Sequence, residues 1–349
     1  MTDSSFRNQP RLSVLDVCPV PAGSTAGDAI ADAVELAQVA ERLGLARYWV
    51  AEHHNTSSIA SSVPAVIIAH LAAATSTLRV GSGGVMLPNH APLHVAESFR
   101  LLEALHPGRI DLGIGRAPGT DGMTALALRR SREALRAGNF PEELADLLGF
   151  LTDTLAPDHP FASVTASPEG GDAPEIFLLG SSGYSAQLAA SLGLGFAFAH
   201  HINPGSAAAV LRTYRAEFRP SRFASAPYAI LGLSALAADT ADEAERLAAT
   251  LDLAWLRIGQ GRNGPSPTFA EALAYDYSPA EEAQRLANRS RHTVGDGGQV
   301  AARLRVMAEE AIADEVMVLT MAHDRASRQR SYELLAGELL GAELPTPVG

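Results

Sequence analysis

Leu78–Leu87 (LRVGSGGVML), Pro92–Leu105 (PLHVAESFRLLEAL) and Arg109–Gly115 (RIDLGIG) follow one another with only short turns between them. They read as strand, helix and strand. The strands are short apolar runs more than clean alternations, which suits a parallel sheet covered on both faces. Outward from this unit the rhythm repeats. Strands are expected at Leu12–Pro19, Arg47–Glu52, Glu175–Leu179, Gly195–Ala199, Tyr228–Leu236 and Glu315–Thr320. Helices are expected at Ala26–Leu43, Pro64–Thr75, Glu142–Leu155, Tyr184–Leu192, Ser206–Arg219, Ala241–Ile258, Gln299–Glu310 and Ala326–Leu340. Eight strands, each followed by a helix, predict an α/β fold of the (β/α)8 TIM-barrel type, with insertions after strands 4, 5 and 7. A doubly wound sheet would need a G-x-G-x-x-G turn after its first strand, and Asp16–Gly27 has none.

Two stretches break the rhythm: Ala156–Pro174, rich in Pro, Gly and Asp, and the longer Gln260–Gly298. Loops of this length in a compact domain are functional or mobile. No boundary frees a second unit, so residues 1–349 are expected to form one domain behind a disordered tail at residues 1–10.

Composition narrows the function. The 349 residues are 47% hydrophobic and 19% charged, enough for a large core, and the net charge is −12. So acidic a chain lacks the basic face that duplex DNA or an anionic membrane requires. One cysteine, Cys18, excludes a disulfide framework and an all-cysteine metal site. The opening residues carry no basic then apolar leader, and the most apolar window, Val63 to Ala74, is too short to span a bilayer. A soluble, cytoplasmic protein is the expectation.

Barrel active sites are assembled from strand C-terminal ends. Here those ends carry Asp16 and Cys18, then Glu52, His53 and His54, then Gly83 to Met86, then Gly115 and Arg116, then Gly180, Ser181 and Ser182, then His200 and His201, then Ser234, and last Thr320 to His323. Adjacent residues on an extended chain point to opposite faces, so His53 and His54 cannot both enter one mouth unless the backbone turns. One imidazole facing a cavity suits a general base or hydrogen-bond donor, and a purely structural pair is the alternative. His200 and His201 have the same geometry. The glycines Gly81, Gly83 and Gly84 interrupt a buried strand, marking either a bulge beneath a ligand or a tight packing contact. Gly180–Gly183 (GSSG) runs from a strand into a helix, where amides, hydroxyls and the helix dipole make an anion site, or where a serine simply caps the helix. Arg116 is a bidentate partner for a phosphate there. Arg129 and Arg130 either fold over it or remain surface charges. Asp16 faces substrate or caps a turn, and Cys18 reads as a small buried residue near the pocket.

Four motifs in order, AEHHNTSS, VGSGGVMLPNHAPLHVAE, LHPGRIDLGIGRAPGTD and LLGSSGYSAQLAASLGLG, resemble those of the bacterial luciferase-like monooxygenase family. The GRAPGTD form looks like a subgroup of uncharacterised members, and the resemblance covers nearly the whole chain. It implies a homodimeric barrel that takes reduced FMN, supplied by a separate flavin reductase, and activates O2 as a flavin hydroperoxide to oxygenate a small organic substrate. By the same resemblance His53 is the catalytic histidine and Gly83–Gly84 a non-prolyl cis peptide beneath the flavin. Arg116, Ser182 and Ser185 match phosphate-site positions, with Ser181, Gly183 and Tyr184 in the same turn. Asp16, Cys18, His54, Met86, His200 and His201 are the candidate substrate-pocket residues, and no metal is expected. Gly115 stands where light-emitting members carry a reactive cysteine, and Ser181 replaces an acidic residue, so light emission is not expected. Two alternatives keep the fold: hydride transfer with an 8-hydroxy-5-deazaflavin (F420), for whose longer tail Arg262, Arg289 and Arg291 are candidate contacts, and a flavin-binding barrel without turnover.

Overall fold

The computed structural model describes residues 9–117, 119–129, 139–262 and 264–342. Arg130 and residues 1–8 of the expected tail lie outside these. Nine parallel strands form one sheet: β1 Arg11–Asp16, β2 Arg47–Val50, β3 Arg79–Met86, β4 Ile110–Gly115, β5 Glu175–Gly180, β6 Gly195–Ala199, β7 Ala229–Ala238, β8 His292–Asp296 and β9 Glu315–Leu319. Eight of them close on themselves in the order β1-β2-β3-β4-β5-β6-β7-β9, since β6 pairs with β7 and β9 pairs with both β7 and β1. The fold is the expected (β/α)8 barrel.

Side-chain alternation divides the core in two. Leu12, Val14, Tyr48, Val50, Ile110, Leu112 and Ile114 face the helices. Leu15, Val17, Trp49, Ala51, Phe177, Ala197, Ile230 and Met317 fill the lumen. The bottom of the lumen is shut by charge. Arg47 Nη1 donates to Asp111 Oδ2 at 2.8 Å and its Nε to Glu315 at 3.0 Å, while Trp49 Nε1 and the Tyr228 hydroxyl donate to the same two carboxylates. The Arg47 guanidinium also lies 5.0 Å from the Phe177 ring centre. Buried charges this fully paired are costly to open, because each would be left alone in a low dielectric.

Three expectations need correction. β8 falls inside Gln260–Gly298, where the sequence predicts a long loop. His292–Asp296 is short, and its sequence HTVGD offers no apolar run to signal a strand. The insertion expected after the fifth strand instead precedes it, because only Ser181 and Ser182 separate β5 from the helix Gly183–Leu192. Asp16 and Cys18 are not lumen residues. Asp16 shares the helix-facing side of β1 with Leu12 and Val14, and Cys18 packs in the same layer. There the Asp16 carboxylate accepts from Arg328 on the last helix, from the Tyr48 hydroxyl and from the Cys18 backbone N–H. Burial pushes its pKa up, but the Arg328 charge and the hydrogen bonds from Arg328, Tyr48 and Cys18 together outweigh this and hold it below the usual range.

Candidate active site

At the end of β2 the chain places Glu52 in full burial and surrounds it with donors. His54 Nε2 lies 2.8 Å from Oε1, His90 Nε2 lies 2.9 Å from it, and the Met86 backbone N–H donates to Oε2 at 3.0 Å. The His90 contact and its companions outweigh desolvation and lower the carboxyl pKa. Glu52 thereby ties the end of β2 to the end of β3. His54 is part of this staple, so its tentative place in the substrate pocket gives way to a structural one.

His53 diverges from its neighbour, as alternation requires. Its backbone N–H donates to Ser61 O at 2.9 Å, and Ser61 Oγ in turn donates to Val17 O at 2.9 Å. The ring is left without such support: Nδ1 is buried with no partner among the described residues. Burial pulls the imidazole pKa down, only partly opposed by the charge of Glu52. A neutral ring with an unanswered nitrogen is equipped to exchange a proton with a bound ligand.

On β3 the Gly83–Gly84 peptide is cis, and the pairing with β4 shifts register between Gly83 and Val85. The glycines also have a packing reason. A Cβ on Gly83 would come within 2.7 Å of Leu15 and one on Gly84 within 2.7 Å of Gly113 O. Both readings of the motif, bulge and close contact, therefore coincide here. Met86 lies over Gly115, where a Cβ would approach its Sδ to 2.6 Å.

Across β4 and β5 the residues expected to form an anion seat come together. Arg116 is exposed at the end of β4, and its guanidinium stands 4.6 Å from the centre of the Tyr184 ring in the first turn of the helix Gly183–Leu192. Ser182 occupies the N-cap of that helix in an extended conformation but makes no capping hydrogen bond. Its hydroxyl and the first amides therefore stay available at the positive end of the helix dipole. Ser181 is turned by its carbonyl, which accepts from Asn203 Nδ2 at 2.9 Å. Ser185 is buried beside Gly180, where a Cβ would come within 2.8 Å of its Oγ. Cation, uncapped amides and hydroxyls on adjoining strand ends fit the phosphate of a flavin mononucleotide.

His200 and His201 also part company. His201 Nδ1 lies 3.2 Å from Gly232 O on β7. Burial lowers the pKa of both rings, that of His200 to about 4 with help from His201 and Arg303. Among the described residues no three His, Cys, Asp or Glu side chains are arranged to hold a metal ion. Sequence reasoning passed over His90 and Asn203. Both sit one turn beyond a strand end, outside the window in which strand-end residues were sought.

The barrel gathers its polar side chains at the strand C-terminal ends, the layout of a barrel enzyme. The luciferase-like monooxygenase family matches residues 11–315, and the chain belongs to it. A luciferase-like monooxygenase of Escherichia coli K12 is 42% identical over 98% of this chain and 100% of its own length. The solved structure of apo-MsnO8 superposes with a TM-score of 0.85 at 40% identity, covering 95% of this chain and 98% of that one. More distant structures share the fold alone. The oxygenating constituent of 3,6-diketocamphane monooxygenase from Pseudomonas putida, in complex with FMN, has a TM-score of 0.69 at 18% identity, covering 97% of this chain and 100% of that one. An F420-dependent secondary alcohol dehydrogenase has a TM-score of 0.66 at 12% identity, covering 93% and 97%. The chain is thus an oxidoreductase of the monooxygenase class.

Proposed function

We propose that this monooxygenase uses reduced FMN and O2 to oxygenate a small organic molecule, with His53 as its catalytic histidine. The observation that carries the reading is the pairing of an anion seat with an orphaned base. Arg116 lies over Tyr184 beside an uncapped helix start, and the buried Nδ1 of His53 has no partner among the described residues. Reduced flavin, when bound, supplies the electrons that activate O2. The residues do the rest. Arg116, Ser181, Ser182, Gly183, Tyr184 and Ser185 would hold the phosphate, and Gly83 and Gly84 would lie beneath the ring. The apolar lumen excludes water, and His53 moves a proton at Nδ1.

FMN is preferred over the deazaflavin because the longer anionic tail of F420 needs spare cations. Of the arginines expected to serve it, Arg289 is engaged by Asp252 at 2.6 Å and by Glu245 at 2.8 Å. In the proposed setting the protein works in the cytoplasm, and a separate reductase delivers the reduced flavin. A second copy covers the face formed by the helices Pro64–Ala73 and Pro92–Leu105, where Val63, Val66, Leu101 and Leu105 are each more than half exposed. A helix as evenly apolar as PAVIIAHLAA is unsuited to lie against water. Sedimentation equilibrium should give a dimer.

The decisive experiment is an anaerobic titration with reduced FMN and, in parallel, reduced F420, followed by admission of oxygen. FMN should bind at least about tenfold more tightly, a difference of about 1.4 kcal/mol. Stronger F420 binding, or none by either, would overturn the assignment.

A further inference from the structure

The top of the lumen contains a polar pair that the flavin seat does not use. Ser234 pairs in register with Leu319 of β9 and also with His292 of β8. β8 must therefore lie on the opposite edge of β7, the edge that β6 occupies only from Ala229 to Gly232. His292 accordingly stands above the end of β6, where His201 emerges. Ile230 faces the lumen, so Gly232 and Ser234, two and four residues further on, face it too. His292 Nδ1 lies 2.7 Å from Ser234 Oγ, and its Nε2 is buried without a partner among the described residues.

The tautomer follows from counting hydrogens. Ser234 is 3% exposed, and its hydroxyl has no other partner among the described residues. If the hydroxyl gives its hydrogen to Nδ1, the ring proton sits on Nε2 as a donor. The reverse arrangement would strand both the hydroxyl hydrogen and the Nε2 lone pair. Burial draws the His292 pKa down to about 4, so near neutral pH the ring is uncharged and offers a single N–H. The Trp255 ring lies alongside, with its centre 5.9 Å away. Below, the lumen wall is Leu15, Val17, Phe177 and Ile230, and the charges of Arg47, Asp111 and Glu315 are paired at the floor.

We infer that His292, held by Ser234, is a substrate anchor: its Nε2–H donates to the acceptor oxygen of an uncharged carbonyl compound whose apolar body lies at the mouth of the barrel, over the side chains that fill the lumen. This rests on reading that mouth as the substrate site of the proposed oxygenase. A carboxylate would have to give up its hydration beside an uncharged imidazole, and a hydrocarbon would leave the donor unanswered.

The test is calorimetric titration of the FMN-loaded protein with acetophenone, ethylbenzene and benzoate, whose aromatic bodies are alike. Acetophenone should bind about tenfold more tightly than ethylbenzene, and benzoate should bind weakest. His292→Phe should erase the preference for the ketone while leaving ethylbenzene unchanged. His292→Gln, which keeps a donor, should retain part of it, and Ser234→Ala should fall between. Far-UV circular dichroism checks that each variant is folded. Absence of acetophenone binding, a preference that survives in His292→Phe, or benzoate as the tightest ligand would each overturn the inference. Repeating the titrations without FMN separates the two readings. A ketone preference in a protein that binds no FMN removes the flavin assignment alone, and FMN binding without the preference removes this one.

Discussion

Two quarters of the barrel mouth use histidine in opposite ways. At the ends of β2 and β3, His54 and His90 are drawn onto the buried Glu52, and the Met86 amide joins them. At His53, and again at His292 above β6, an imidazole is equally enclosed but keeps one nitrogen without a partner among the described residues. The first arrangement spends its hydrogen bonds on joining strands. The second holds them back, at a cost of about 1–3 kcal/mol per unanswered group, until something else supplies the partner. Enclosure alone therefore does not separate the two arrangements; the state of the second nitrogen does, and His200 and His323 also keep a buried Nδ1 without a partner among the described residues.

The contrast can be broken most forcefully at Glu52. Glu52→Ala strands several buried donors at once and should lower unfolding stability by about 3–5 kcal/mol, read from urea denaturation. A loss below about 1 kcal/mol would mean that the staple is ornamental. His53→Ala should do the converse, leaving the urea midpoint in place and reducing oxygenation turnover by at least about a hundredfold. Equal effects on stability at both sites would dissolve the distinction. Arg116→Ala should weaken FMN binding by about ten- to a hundredfold, measured by flavin fluorescence, with stability unchanged. The smallest effect is in pH. His200 and His292 have folded pKa values near 4, below the ordinary 6.5, so the unfolded chain binds more protons between these values. Their contribution is complete above about pH 6.5 and declines as pH falls toward 4. His200→Asn should flatten that decline in thermal melts at pH 5 relative to pH 7.

Much of this was legible from the sequence because the barrel repeats a simple instruction. Short apolar runs such as EIFLL and GFAFA followed by helices locate the strands, and strand ends locate the chemistry. The divergence of His53 from His54 followed from backbone alternation alone. Asp16 was misplaced by the same logic left unfinished. It lies at a strand end, but its parity sends it to the helix layer, and its partner Arg328 is over three hundred residues away in the chain. β8 and the Ser234–His292 pair were illegible for a related reason. The strand has little apolar signature, and the pair exists only because β8 takes over the edge that β6 abandons.

The ion-paired floor has a kinetic corollary. With Arg47, Asp111 and Glu315 sealing the strand N-terminal end, the polar strand ends are reached from the opposite mouth. In the oxygenase proposed above, cofactor, oxygen, substrate and product would share that mouth, and whatever seats deepest would arrive before the rest and depart after them. Turnover in such a vessel is a queue, and its order of arrival is written into a cluster of charges at the far end from the chemistry.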